Sequence, residues 1–167
     1  MNGYIIQTDM FIDDFIKATD EVFSQMVSVA VQVDVVEEIN GMPDCMDVTL
    51  CMDITGILGF SGGRRGSLLV TFSEETALKA VGGMLGIQYT EMNSDVCDGV
   101  GEIVNIIAGT AKTRLQLKGI SFDLSIPNTI IGTKHQITAP ASTSRTRISF
   151  SSPYGAFFME VYLKEDK

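Results

Sequence analysis

Two helical segments, each followed by a run of strand-like stretches, constrain this chain more than any other feature of its sequence. From Asp9 to about Ala30, the apolar residues Ile12, Phe15, Ile16, Val22, Phe23, Met26 and Val27 recur at spacings of three and four. That period places them on one stripe of an amphipathic helix. Strand-like stretches follow at 31–36, 48–54 and 67–72. The second of these alternates polar and apolar side chains, the period of a half-buried strand. Turn residues separate them: Asn40-Gly41-Met42-Pro43 before the second stretch, Ser61-Gly62-Gly63-Arg64-Arg65-Gly66 after it.

Ser73-Glu74-Glu75-Thr76 opens a second helix that runs to about Met84, where Gly86 supplies a stop. Ser94 or Asp95 caps a third helix extending to about Leu117. Strands at 120–126, 146–151 and 156–163 close the chain, with a loop inside 128–144. The order is a helix and three strands, a bridging helix, then a helix and three strands again. It predicts an internally duplicated α/β domain of the α+β type, with helices packed on a mixed or antiparallel sheet. Laying the third helix on the first sets Asp20-Glu21-Val22-Phe23-Ser24 against Gly101-Glu102-Ile103-Val104-Asn105. No linker, charge run or low-complexity tract divides the chain, so residues 1–167 read as one domain.

Composition narrows the function. With 21 acidic against 12 basic residues the formal charge is −9, which repels nucleic acid and anionic membranes instead of attracting them. Cys45, Cys51 and Cys97 form no CxxC and no Cys/His cluster, and read as small buried hydrophobes in a reducing compartment. His135 is the single histidine and reads as a solvated loop side chain, so a His-dependent nucleophilic site is not expected. The start of the chain lacks the basic and apolar regions of a secretory signal, and no apolar run reaches the roughly 18 residues of a membrane span. The expected location is the cytoplasm.

The third helix carries the chemistry. At 100° per residue, Asp98, Glu102, Asn105, Gly109 and Lys112 fall on one narrow polar arc, while Val100, Ile103, Val104, Ile107 and Ala111 point elsewhere and reach the core. Asn is a poor mid-helix residue, and Gly101 and Gly109 each cost about 1 kcal/mol relative to Ala. Missing side chains at both glycines would let another backbone or a partner approach closely around Asn105. Glu102 and Asn105 are too few to hold a metal, so neither a metal nor another cofactor is expected in the chain itself. Arg64 and Arg65 lack the phosphate-loop pattern and read as a hairpin turn, the nine methionines read as core filling, and Tyr154 and Tyr162 as cross-strand packing.

The pattern Asp98-x-x-x-Glu102-x-x-Asn105-x-x-x-Gly109 resembles the signature helix of the CheC/CheX/FliY phosphatases of bacterial chemotaxis. Gly59-Phe60-Ser61-Gly62 through Gly66-Ser67-Leu68-Leu69-Val70, then Phe72-Ser73, Ala77 and Met84-Leu85-Gly86, resembles the strand-turn-strand-helix before that signature. Members with two active helices carry Glu-x-x-Asn in both halves. Here the first helix offers Glu21-x-x-Ser24, so a single intact motif in the second half is similar to the CheX arrangement.

The resemblance implies a CheC-like fold and a phosphatase for the phospho-aspartate of a CheY-like response regulator. Asn105 would orient the hydrolytic water and Glu102 would pair with a lysine of the regulator. Asp98 and Gly109 would extend the docking stripe, and Mg²⁺ would reside in the regulator's own acidic pocket. A homodimer joined through sheet edges is also implied. The alternative is a non-catalytic module of the same fold that binds a response regulator or a flagellar-switch component, and a third reading is a small-ligand-binding α/β domain.

Overall fold

A computed structural model describes residues 9–40 and 52–165. Asp9 caps α1 (Met10–Val22) through its carboxylate, which accepts from the Phe11 amide, and the helix widens into a π-helical turn at Phe23–Val27. Ser28, at φ 62°, ends it in the left-handed region that a non-glycine residue seldom occupies. Strands β1 (Gln32–Glu38), β2 (Ile54–Gly62) and β3 (Gly66–Phe72) follow, then α2 (Glu74–Leu85) and α3 (Ser94–Gln116). Strands β4 (Phe122–Leu124), β5 (Asn128–Ile131), β6 (Thr143–Ser151) and β7 (Phe157–Lys164) complete the described chain.

All seven strands join one sheet in the order β1-β6-β7-β3-β2-β4, with β5 also on β2, and every described pairing is antiparallel. The order is the same from either end once the halves are matched. The last strands of each half, β3 and β7, pair at the centre, and the middle strands β2 and β6 flank them. Each half's first strand is exchanged: β1 pairs β6, and β4 with β5 pairs β2. That arrangement is the duplication expected from the element order, with the halves interlocked.

Helices and sheet meet in one buried cluster. Eight of the nine phenylalanines form two ring groups beneath the α1 side. Phe11, Phe15, Phe60 and Phe122 pack with centroids 5.2–6.0 Å apart, and Phe23, Phe72, Phe150 and Phe157 pack at 4.7–6.5 Å. Under α3 the surfaces are small. A Cβ on Gly56 of β2 would sit 2.5 Å from Val104 Cγ2, and one on Gly99 of α3 would sit 2.4 Å from Val81 Cγ1 of α2. Bare backbone at these two points lets α3 lie close on the sheet and on its neighbouring helix.

A charged cross-link fixes the other end of α3 to α1. Asp14 is fully buried, 3.2 Å from Arg114 Nε and 2.6 Å from Lys118 Nζ, and Arg114 also reaches Glu21 at 3.5 Å. Burial pushes the Asp14 carboxyl up, but the hydrogen bonds and charges of Lys118 and Arg114 outweigh it and hold the group below the usual carboxylate value.

Several expectations change. β2 begins at Ile54, where the alternating stretch 48–54 was expected to end, and it continues through Ser61 and Gly62, which read as turn. Glycines hide the strand because they lower strand propensity, and one of them is the seat for Val104. The hairpin turn itself contains Gly63, Arg64 and Arg65, and Arg64 lies over the Phe11 ring at 5.7 Å. Residues 48–51, the turn expected at 40–43 beyond Asn40, Cys45, Cys51 and the start of the chain lie outside the described residues. The strand expected at 120–126 shrinks to β4 because Pro127 has no N–H to donate, and part of the expected loop pairs as β5. Asn93, not Ser94 or Asp95, caps α3 by accepting from the Val96 amide at 3.0 Å.

The far face of the sheet also departs from expectation. His135 is half-buried in its loop: its Nε2 lies 2.7 Å from Thr55 Oγ1, which ties the loop to that face. Tyr162 packs there with its hydroxyl donating to Glu160, whereas Tyr154 lies in the β6–β7 turn against Gly83 of α2, outside any strand.

Gly56→Ala forces Val104 off its seat and lowers stability by about 1–3 kcal/mol in urea unfolding, the usual range for overpacking. Asp14 contributes stability that is fully present above the unfolded carboxyl value of about 3.9 and is lost as pH falls through its lower folded value. Asp14→Asn therefore costs about 2 kcal/mol near neutral pH, with the partners' partial exposure moderating the loss. It also flattens the acid limb of a pH-stability curve below about pH 4.

Candidate functional site

α3 is built to hold one face still. Asn93 closes its N-terminus, Asp95 and Arg114 sit at the ends that complement the helix dipole, and Val96, Val100, Ile103, Val104, Ile107, Ala111 and Leu115 are buried. The remaining arc is the expected polar stripe. Asp98 and Glu102 are exposed, Asn105 and Gly109 half-buried, and Lys112 pairs with Asp123 of β4 at 3.6 Å. Glu102 and Asn105, one turn apart, make no side-chain hydrogen bond or ion pair with the described residues, and neither does Asp98. A carboxylate and an amide held on a rigid helix, with their hydrogen-bonding capacity unused, are preorganised for a partner.

The two flanking glycines do different jobs. A Cβ at Gly109 would meet nothing within 4 Å, so this position leaves open space beside Asn105. Gly101 is buried, and its Cβ would lie 3.5 Å from Thr129 Oγ1 and 4.0 Å from Pro127 Cβ. It serves the close packing of α3 on the edge strand, the first of the two uses expected of these glycines, whereas Gly109 leaves open space. Gly56 and Gly99, which seat the helix, escaped the sequence reading; a glycine inside an apolar strand was the signal available.

The equivalent turn of α1 is spent on structure. Glu21 is ion-paired with Arg114, and Ser24 Oγ donates to the Glu21 carbonyl at 3.0 Å inside the π-helical turn. Of the two matched helices, only α3 thus presents a Glu-x-x-Asn face whose side chains are unbonded to the described residues. Burial, followed by the Asp98 carboxylate, pushes the Cys97 thiol up, which makes it a poor nucleophile. Among the described residues no three His, Cys, Asp or Glu side chains group to hold a metal, and no helix is long and apolar enough to cross a membrane. A cleft of about 480 Å³, lined by Ile39, Ile137, Arg145 and Tyr162, lies on the far face of the sheet, away from this stripe.

The fold, helices packed on one antiparallel sheet, is shared with CheC-like proteins. A CheC-like superfamily protein from Shewanella sp. PV-4 superposes with a TM-score of 0.83 at 27% identity, covering 95% of this chain and 100% of that one. The family described as chemotaxis phosphatase CheX matches residues 54–151, and the chain belongs to that family. The CheY-P phosphatase CheX of Thermotoga maritima is 30% identical over 99 residues, which span 58% of this chain and 64% of that protein. The CheX of a CheX–CheY–BeF3–Mg²⁺ complex from Borrelia burgdorferi shares the fold, with a TM-score of 0.76 at 24% identity, covering 93% of this chain and 98% of that one.

Because Glu102 and Asn105 make no side-chain bond with the described residues, Glu102→Ala and Asn105→Ala each leave unfolding stability within about 0.5 kcal/mol of wild type. Gly109→Ala raises it by about 0.5–1 kcal/mol, since the helix gains a better former in open space. Urea or thermal melts of the three variants check both statements.

Proposed function

We propose that the chain is a phosphatase that hydrolyses the phospho-aspartate of a CheY-like response regulator in bacterial chemotaxis, acting as a cytoplasmic protein with its whole length as one domain. The observation that carries this reading is the unpaired Glu102–Asn105 face on a helix whose every other side is fastened. Support also comes from family membership and from the B. burgdorferi neighbour, a CheX captured with CheY, BeF3 and Mg²⁺.

Hydrolysis of an acyl phosphate requires a water oxygen in line with phosphorus, so that the new P–O bond forms as the bond to the aspartyl oxygen breaks. The products are the free aspartate and inorganic phosphate. Most of the catalytic task is positioning, because the transition state is loose and its charge is spread over phosphoryl oxygens. Asn105 suits it. Its carbonyl oxygen accepts from the water, its NH₂ donates, and the group does not titrate. Glu102 pairs with a lysine of the regulator and sets Asn105 over the phosphoryl group, with Asp98 extending the charged stripe and Gly109 leaving clearance. The metal belongs to the regulator, whose acidic pocket holds Mg²⁺ to neutralise phosphoryl charge.

The β1 edge of the sheet supports a homodimer joined edge to edge. A second reading, a non-catalytic regulator-binding or flagellar-switch module, draws on the first half, where Glu21 and Ser24 are bonded internally.

The deciding experiment follows decay of a phosphorylated CheY-like regulator in Mg²⁺ with and without the chain. Wild type accelerates decay, and Asn105→Ala loses about 10²–10³ of that rate while still binding the regulator, the loss expected for one preorganised group. Glu102→Ala weakens binding, and more so at low salt, where the charge pair counts most. Regulator binding without any wild-type acceleration would establish the non-catalytic module instead.

A further inference from the structure

The edge strand beside α3 carries an apolar side chain that the fold leaves unburied. β4 and β5 both pair with β2, but between Phe60↔Leu124 and Ile57↔Asn128 the edge takes four steps to β2's three. The extra residue makes Ser125-Ile126-Pro127 a bulge. Its backbone is pinned. The Ser125 amide donates to the Gly59 carbonyl at 2.8 Å, the Gly59 amide donates to Ser125 Oγ at 2.9 Å, and Ser125 Oγ donates to the Ile126 carbonyl at 3.3 Å. Pro127 fixes its own φ and rests near Gly101. On this rigid frame the Ile126 side chain is 82% exposed.

Its position relative to the stripe follows from two contacts. Gly101 faces Pro127 and Thr129, and Lys112 is paired with Asp123. At 100° per residue Gly101, Asn105 and Lys112 lie within an arc of about 40°. Asn105 is therefore on the side of α3 turned toward the edge strand, between two fixed contacts, and the bulge lies along the same stretch. A protein surface that brings a reacting group to Asn105 extends well past the helix, since interfaces cover roughly 800 Å² on each partner. It must also cover the bulge.

We infer that Ile126 is a docking residue, buried on complex formation against an apolar patch of the regulator's receiver domain beside its phospho-aspartate. This rests on the phosphatase reading above. Glu102 and Asp98 act on the approach of the partner through charge, whereas Ile126 acts after contact, by removing apolar surface from water and lengthening the life of the complex. It touches no reacting atom and belongs to binding.

The test measures KM and kcat for the phosphorylated regulator, and Kd for the beryllofluoride-activated regulator in Mg²⁺. Ile126→Ala raises KM and Kd roughly tenfold and leaves kcat within about twofold, in line with the loss of a buried aliphatic side chain. Ile126→Asp raises both further, Ile126→Leu restores them, and Ile87→Ala, at a half-exposed isoleucine after α2, changes neither. Thermal melts of all variants match wild type. Unchanged KM and Kd in both Ile126→Ala and Ile126→Asp, or a fall in kcat at constant KM, overturns the docking role while the phosphatase reading stands. A wild-type chain that neither binds nor dephosphorylates any regulator overturns the phosphatase reading, and the docking role with it.

Discussion

The close seating of α3 is the constraint on which the rest of the structure depends. Val104 enters the space left by Gly56, and Val81 the space left by Gly99, so the helix is located against the sheet and against α2 by contacts too tight for a methyl group to enter. Packing of this density has no soft direction, and a shift at one side chain moves the whole helix. Asn105 immediately follows Val104, so the amide sits next to one of the two close contacts that locate the helix. On the phosphatase reading proposed above, such a base matters, because errors of about 1 Å are enough to lose most of the benefit of orientation.

The two halves show how one architecture divides labour. Aromatic rings floor the α1 side and raise that helix on a thick apolar layer, whereas glycine and β-branched residues floor α3. The turn of α1 that corresponds to the Glu102–Asn105 turn of α3 is widened, its glutamate pairs with Arg114 and its serine with a main-chain carbonyl. Both Glu21 and Asp14 secure the C-terminal half of α3. One helix has become the support of the other. A buried carboxylate between two cations is costly to desolvate, and it persists here because its partners also supply hydrogen bonds.

Much of this was legible in the chain. The stripe Asp98, Glu102, Asn105, Gly109 is visible because helical period is the strongest local signal, and its surroundings resemble one family closely enough to set the fold. α2 could be read nearly to the residue, since Ser73 and Gly86 are caps with a mechanism. What was hidden is what tertiary contact decides. β2 was obscured by the glycine that α3 requires, the edge strand by a proline bulge, and the anchoring of His135 by its partner Thr55, eighty positions away. The different duties of Gly101 and Gly109 depend on which neighbour each faces, and nothing local records that.

The exchange of first strands bears on how the chain is made. β1 leaves the ribosome early, yet its hydrogen-bonding partner β6 is synthesised only after both other helices and most of the sheet: Gln32 waits for Ser151. Until then α1 and β1 have no complete surface to settle on, and the first half cannot close as a unit during elongation. Contacts so distant along the chain make for slow folding and prolonged exposure of strand edges. The same interlocking that binds the two halves into one body thus postpones completion of the sheet until its last strands are made.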